Sequence, residues 1–166
     1  TSDTLLRLGN KIECAHISDT LGISSLPWSK VAVETLEDVY THVVAIGCPV
    51  MIKAALGGGG RGIRPVHHPD QIQHVFTQVR AEVAGPVFVM KCIEVCRHIE
   101  VQLVGDGCTC CHLGTRDCSM QRNNQKLIEE APAIVDDICI LERMCQDACA
   151  FGREVGLFGV ATAEFL

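Results

Sequence analysis

Four consecutive glycines, Gly57 to Gly60, followed by Arg61-Gly62-Ile63-Arg64-Pro65-Val66, limit what this chain can fold into more than any other stretch. Without a Cβ, the main chain can approach a bulky anion with its N–H groups turned inward, and Lys53 and Arg61 place positive charge on either side. That chemistry suits a polyphosphate. The letters also satisfy the dinucleotide pattern G-x-G-x-x-G through Gly57, Gly59 and Gly62. That pattern, like the Walker loop, requires a helix directly behind it, because the anion rests on the helix N-terminus. Here Ile63 to Val66 follow, Pro69 comes soon after, and no Gly-Lys-Ser/Thr is present. The expectation is a flexible flap joining two antiparallel strands. A plain turn is the competing reading of any glycine run, and Lys53 at its entrance favours phosphate.

Composition removes several function classes. A chain of 166 residues with 48% hydrophobic content can bury a sizeable core and would normally make one domain. Its formal charge of −6 and its 14 scattered Lys and Arg show no basic stripe, so no nucleic-acid partner is expected. No apolar run approaches membrane-spanning length and no leader precedes the first residues, so no membrane association is expected. The chain starts without a methionine and stops at Glu164-Phe165-Leu166, inside what reads as a strand, which suggests a fragment. Eleven cysteines are too many to ignore and odd in number. A disulfide scaffold would be smaller and richer in loops. Zinc could recruit Cys108, Cys110, Cys111 and His112, but Cys-x₂₋₄-Cys pairs do not recur at suitable distances. The preferred reading is small buried hydrophobes in a reducing compartment.

Periodicity predicts a helix over 11–21, ended by Gly22, and a short strand over 23–28. A second helix spans 34–46 through Leu36, Val39, Val43 and Ile46, with Gly47 just past its end. Strands are predicted at 49–54, 63–66 and 87–93, with a helix opened by Pro69-Asp70 that buries Ile72, Val75, Phe76 and Val79. In residues 98–104, Ile99, Val101 and Leu103 alternate with Glu100 and Gln102, as in a half-buried antiparallel strand. A turn at Gly105-Asp106-Gly107 returns residues 108–113, a long amphipathic helix covers 136–155, and a last strand runs to Leu166. The class is α+β.

Between apolar strands lies Arg116-Asp117-Cys118-Ser119-Met120-Gln121-Arg122-Asn123-Asn124-Gln125-Lys126, followed by Leu127-Ile128-Glu129-Glu130-Ala131-Pro132. So many donors cost free energy unless water or a charged ligand pairs them. A solvated loop and a ligand-binding stretch both fit, and Glu129-Glu130 reads either as a wet face or as an acid/base device.

With those residues in view, the chain resembles the biotin carboxylase domain of the biotin-dependent carboxylases, an ATP-grasp family, and within it the eukaryotic multidomain acetyl-CoA carboxylases. The resemblance rests on Leu8-Gly9-Asn10-Lys11-Ile12, Leu26-Pro27-Trp28-Ser29, Pro49-Val50-Met51-Ile52-Lys53-Ala54 with the glycine flap, and Arg97-His98-Ile99-Glu100-Val101-Gln102. It continues through Arg116 to Gln121, Gln125 to Pro132, and Ala161-Thr162-Ala163-Glu164-Phe165-Leu166, in the same order over nearly the whole chain.

The resemblance implies an ATP-grasp arrangement: the end of an N-terminal subdomain and a linker over 1–26, a lid (B) subdomain over 27–91, and an incomplete antiparallel-sheet core (C) over 92–166. It implies use of Mg-ATP, or manganese in its place, to activate bicarbonate as carboxyphosphate and carboxylate biotin on a carrier domain, serving malonyl-CoA and fatty-acid synthesis. Lys11 and Lys53 would neutralise phosphate charge, and the main chain of Gly58, Gly59 and Gly60 would close over the β and γ phosphates. Lys91 and Ile93 would flank the adenine edge, His98 and Gln121 would face the ribose, and Glu164 would hold magnesium. Lys126, with Arg122, would be catalytic and seat bicarbonate. The location implied is cytoplasmic, with the plastid as the alternative.

The chain departs from the family at several points. Where the family usually has Arg-Arg-His-Gln-Lys, this chain has Arg122-Asn123-Asn124-Gln125-Lys126, so a histidine near the phosphates becomes Asn124, which can donate a hydrogen bond but carries no charge. The stretch between Ser29 and Val44 is shorter, and Cys48, Cys92, Cys110 and Cys111 stand at aromatic or small positions. The family continues past the position of Glu164 into a second magnesium carboxylate and an Arg-x-Gln-Val-Glu-His block. On that comparison the isolated chain is expected to retain weak ATP binding without appreciable turnover. The alternatives are a biotin carboxylase of another acyl-CoA, pyruvate or urea carboxylase, and a non-catalytic truncated nucleotide-binding paralogue. A cysteine-rich metal domain, which would purify with stoichiometric zinc, is a third.

Overall fold

A computed structural model describes residues 2–57, 60–122 and 125–166. The chain divides into two compact units, residues 7–94 and residues 1–6 with 95–166. A helix not anticipated from sequence, α1 (Ser2–Gly9), begins the chain, and Thr4 within it is buried and donates to the Val155 carbonyl.

In the unit of residues 7–94, α2 (Lys11–Thr20) is started by Asn10, whose side chain accepts from the N–H groups of Ile12 and Glu13. Thr35 caps α3 (Leu36–Ile46) in the same way through the Asp38 N–H, and Gly47 ends that helix at φ +79°. The strands β1 (Val50–Ala54), β2 (Ile63–Val66) and β3 (Val87–Lys91) form an antiparallel sheet in the order β2-β1-β3. Lys53 lies opposite Ile63, so the glycine segment joins β1 to β2 as a hairpin, as the absent helix signal predicted. After a 3-10 turn at Pro69–Gln71, α4 (Ile72–Glu82) packs with α3 on one face of this sheet. The fully enclosed core of Val39, Val43, Val50, Ile52, Val66, Ile72, Val79, Val87 and Val89 is the main stabiliser, at about 1.5–3 kcal/mol per side chain.

The strand predicted at 23–28 does not form; a single bridge, Trp28 to Met90, stands in its place. Side chains hold this stretch instead. The Trp28 ring meets His16 and Phe88 edge-on, its Nε1 donates to Asp19, and the Ser29 N–H donates to the Val89 carbonyl. The third strand also stops earlier than predicted, at Lys91, whose ammonium turns back to the carbonyls of Gly47 and Cys48.

In the unit of residues 1–6 and 95–166, β4 (Ile99–Asp106), β5 (Cys110–Arg122), β6 (Gln125–Glu130) and β7 (Phe158–Phe165) pair antiparallel in the order β6-β5-β4-β7. Ile99, Val101 and Leu103 are buried, and α5 (Ile138–Glu154) contributes Cys145, Ala148, Cys149 and Gly152 to the buried layer. A Cβ on Gly152 would stand 2.4 Å from the Cys110 Sγ, so a close approach of α5 to β5 requires glycine here. Of the polar stretch, residues 116–122 extend β5 and residues 125–126 begin β6, so they are strand and not a surface loop, which leaves the ligand-binding reading standing. Arg122 lies opposite Gln125, and Gln121 opposite Lys126.

Candidate active site

Cross-strand register builds the site. In the middle of the sheet, Glu100 on β4 lies opposite Arg116 on β5 and Glu164 on β7. The face of β4 that alternates with Ile99 and Val101 therefore holds a carboxylate only 2% exposed. A buried charge is costly unless paired and hydrogen-bonded. Arg116 Nη2 donates to Glu100 Oε2 at 2.9 Å, and Lys126 Nζ contacts Glu100 Oε1. Arg116 is steadied in turn by Gln102 Oε1 at 2.9 Å and by Glu129 at 3.5 Å.

Lys126 also donates to Glu164 Oε1 at 3.0 Å. His98, just ahead of β4, brings its Nε2 to 3.5 Å from the same oxygen. The His98 Nδ1 meets the Gln121 amide nitrogen at 2.9 Å, and that nitrogen also donates to the Cys118 carbonyl. With Nδ1 accepting, the neutral ring carries its proton on Nε2, aimed toward Glu164. The neighbouring Asp117 accepts from both the hydroxyl and the N–H of Ser119 and pairs with Arg97. Those donors, Ser119 first and then Arg97, pull its carboxyl down to about 2.

The structure thus brings together four of the residues marked in the sequence: His98, Gln121, Lys126 and Glu164. Arg122 ends β5 on the exposed side. The other candidates, Asn124 apart, belong to the unit of residues 7–94. Lys11 donates from its backbone N–H to the Ala55 carbonyl and from Nζ to the Gly57 carbonyl, so the start of α2 is tied to the entrance of the glycine segment. Burial lowers the Lys11 ammonium pKa below its ordinary value. Lys53 lies half-buried on the central strand, its Nζ 3.4 Å from Met90 Sδ. Lys91 closes β3, Ile93 lies beyond it partly exposed, and Gly60 adopts φ +75°. Gly58, Gly59 and Asn124 lie outside the described residues. Glu100, Arg116 and Gln102 were not marked in the sequence as site residues, whereas Glu129 was read as either a wet face or an acid/base device. The signal for Glu100 was an acidic residue in strict alternation with buried aliphatics.

Among the described residues, the metal-competent grouping is His98, Glu100 and Glu164, with ligand atoms within 4.8 Å of one another. Glu100 is buried with both oxygens committed to cations, and the exposed Glu164 is the accessible carboxylate of the three. One exposed carboxylate oxygen fits magnesium, which takes one or two carboxylates and fills its shell with water and phosphate oxygens. The cysteines considered for zinc do not gather in this way: Cys110 is buried while Cys108 and Cys111 are exposed.

Residues 10–166 match the family described as the carbamoyl-phosphate synthase L chain, ATP binding domain. The chain belongs to that family. As a member of this ATP-binding-domain family, it is 38% identical over 172 residues to a biotin carboxylase of Nostoc sp., covering 100% of this chain and 38% of the relative. It is 36% identical over 188 residues to acetyl-CoA carboxylase 2 of Arabidopsis thaliana, covering 99% of this chain and 8% of that protein. The biotin carboxylase of Campylobacter jejuni, solved with a β-γ-ATP ligand, superposes with a TM-score of 0.93 at 35% identity, covering 98% of this chain and 38% of that one. The biotin carboxylase domain of Hydrogenobacter thermophilus 2-oxoglutarate carboxylase, solved with MgADP, ADP and bicarbonate, gives a TM-score of 0.86 at 33% identity, over 96% of this chain and 36% of that one. The ATP-grasp fold and the resemblance to biotin carboxylase are therefore shown. The chain spans well under half the length of each of these relatives.

Proposed function

We propose that this chain supplies the glycine hairpin and part of the catalytic sheet of a biotin carboxylase, which carboxylates carrier-bound biotin with bicarbonate at the expense of ATP. The observation that carries this reading is the convergence of His98, Lys126 and Glu164 on the buried, doubly paired Glu100. Lys126 places its Nζ against the Glu164 carboxylate, where a small anion such as bicarbonate can replace the Glu164 contact. Glu100 orients that ammonium without exposing its own charge, and Arg122 is the second cation. Gln121 fixes the His98 tautomer so that Nε2–H is offered to a ribose hydroxyl. Magnesium, when bound at Glu164, supplies charge compensation for the polyphosphate.

In the other unit, Lys11 and Lys53 neutralise phosphate oxygens, the main chain of Gly58 to Gly60 covers them, and Lys91 and Ile93 flank adenine. Asn124 replaces a cation by an amide and weakens phosphate binding. Identities of 36% and 37% over 188 and 182 residues to acetyl-CoA carboxylases of Arabidopsis thaliana and Oryza sativa, together with Leu26-Pro27-Trp28-Ser29, favour the acetyl-CoA type, in the cytosol or plastid. Calorimetric titration with MgATP tests the reading. Saturable binding is expected, weakened at least about tenfold by Lys53→Ala through lost charge at the phosphates. Absence of MgATP binding to the wild-type chain would overturn it.

A further inference from the structure

Where α5 lies on β5, buried cysteines from both elements meet. Cys110 begins β5, and its Sγ lies so close to the α5 backbone that a Cβ on Gly152 would stand 2.4 Å from it. Cys149 precedes Gly152 by one helical turn and shares that face. The two sulfurs are in contact: the Cys110 S–H donates to Cys149 Sγ, which also accepts from the His112 N–H. Cys149 also lines a cavity of about 410 Å³ whose walls include His112, Glu142, Gln146 and Arg153, all exposed, so the cavity opens to solvent. Neighbouring thiols are worse placed to pair with it. Cys145 stands one turn earlier on α5, where Cβ atoms are about 5–6 Å apart, beyond the roughly 3.5–4.5 Å that a disulfide spans. Cys111 is exposed, since successive strand side chains point to opposite faces.

From this we propose that Cys149 is a modification site for low-mass peptide disulfides that enter the cavity, and that Cys110 resolves the adduct into a Cys110–Cys149 cross-link between β5 and α5. The site is independent of the carboxylase reading. Cys149 loses its proton to water and attacks one sulfur of the small disulfide, whose S–S bond breaks so that a first thiolate leaves and takes up a proton. Cys110, already against Cys149 Sγ, then loses its proton and attacks the mixed disulfide, expelling the second small thiol. Two protein thiols are oxidised by two electrons and one disulfide is reduced to two thiols. The cavity falls in the size range that holds small ligands, and Arg153 and Glu142 offer partners to the carboxylate and ammonium of a peptide thiol. Burial pushes both protein thiols above the ordinary cysteine range, so the first attack is slow at neutral pH. For the same reason neither sulfur is stabilised as thiolate, the condition that makes a disulfide easy to reduce, and the cross-link persists once made. The loop it closes contains β6 and with it Lys126.

The test is to incubate the whole 166-residue chain with oxidised glutathione in mildly alkaline buffer without denaturant, quench with acid, and map the peptides by mass spectrometry. The Cys110 and Cys149 peptides should be recovered joined, lighter by two hydrogens than their sum, in most molecules. Cys110→Ser should abolish the cross-link and leave glutathione on Cys149, Cys149→Ser should abolish both, and Cys111→Ser should change neither. The wild-type map decides the pairing even where a serine variant does not fold. Cys149 joined to Cys145 instead, or Cys110 and Cys149 both still free once the exposed Cys108 and Cys111 carry glutathione, would overturn the assignment. So would a Cys110–Cys149 link that forms only in urea, because the folded cavity would then admit no disulfide.

Discussion

Glu100 is almost wholly out of water, with Arg116 on one oxygen and Lys126 on the other. Replacing it by glutamine keeps the volume and removes the charge that two cations face. Since Arg116 retains some solvent contact, the expected cost is about 3 kcal/mol, the lower end for a broken buried pair, read from urea unfolding. Asp117 sets a pH response. Its folded pKa, about 2, lies below the ordinary aspartate value of 3.8, so its bonds to Ser119 and Arg97 stabilise the fold above about pH 4, and that contribution is lost as pH falls toward 2. Arg97 is half-exposed, and screening reduces the gain to about 1 kcal/mol. Asp117→Asn should flatten the stability profile between pH 4 and 2; an unchanged profile would show that other carboxylates dominate acid unfolding. At this scale His98, Gln121, Lys126 and Glu164 were legible from motif strings, whereas Glu100 and Arg116 were not. On a half-buried strand, alternation reads polar positions as facing water, and only the third strand, β7, reveals that this face is covered by a site.

The elements whose packing follows a local period were read well. The helices α2 to α5 carry apolar residues at helical spacing and begin at side-chain caps or a proline turn, and the glycine hairpin declared itself by what did not follow it. The end of β5 and all of β6 leave no pattern in the sequence, because every residue of β6 is exposed and pairing with β5, not burial, makes it a strand. The helix α1 leaves no periodic signal, because eight residues make too few turns. The contact between α5 and β5 can be tested directly. Gly152→Ala would gain about 1 kcal/mol in helix propensity but drives a methyl into the Cys110 sulfur. Overpacking of that kind costs about 1–3 kcal/mol, so a net loss in thermal stability is expected. Cys110→Ala in the same chain should recover most of it. Destabilisation by Gly152→Ala that Cys110→Ala does not relieve would place the clash elsewhere.

Each compact unit of the molecule has its own sheet and its own apolar layer, and among the described residues the paired carboxylate cluster lies in the unit of residues 1–6 and 95–166. In the sequence, the stretch rich in helix and glycine precedes the stretch rich in strands. The pairing order β6-β5-β4-β7 was not visible, since non-local partners leave no trace in a local pattern. The alignment of Glu164 with Glu100 across β4 and β7 has a practical consequence for anyone preparing this protein. A slip of one residue there would preserve strand content, and so the circular dichroism spectrum, while turning Glu164 into the layer beneath α5 and Ala163 and Phe165 outward. On the function proposed above, MgATP affinity is therefore a stricter quality control for refolded material than any spectrum that counts strands.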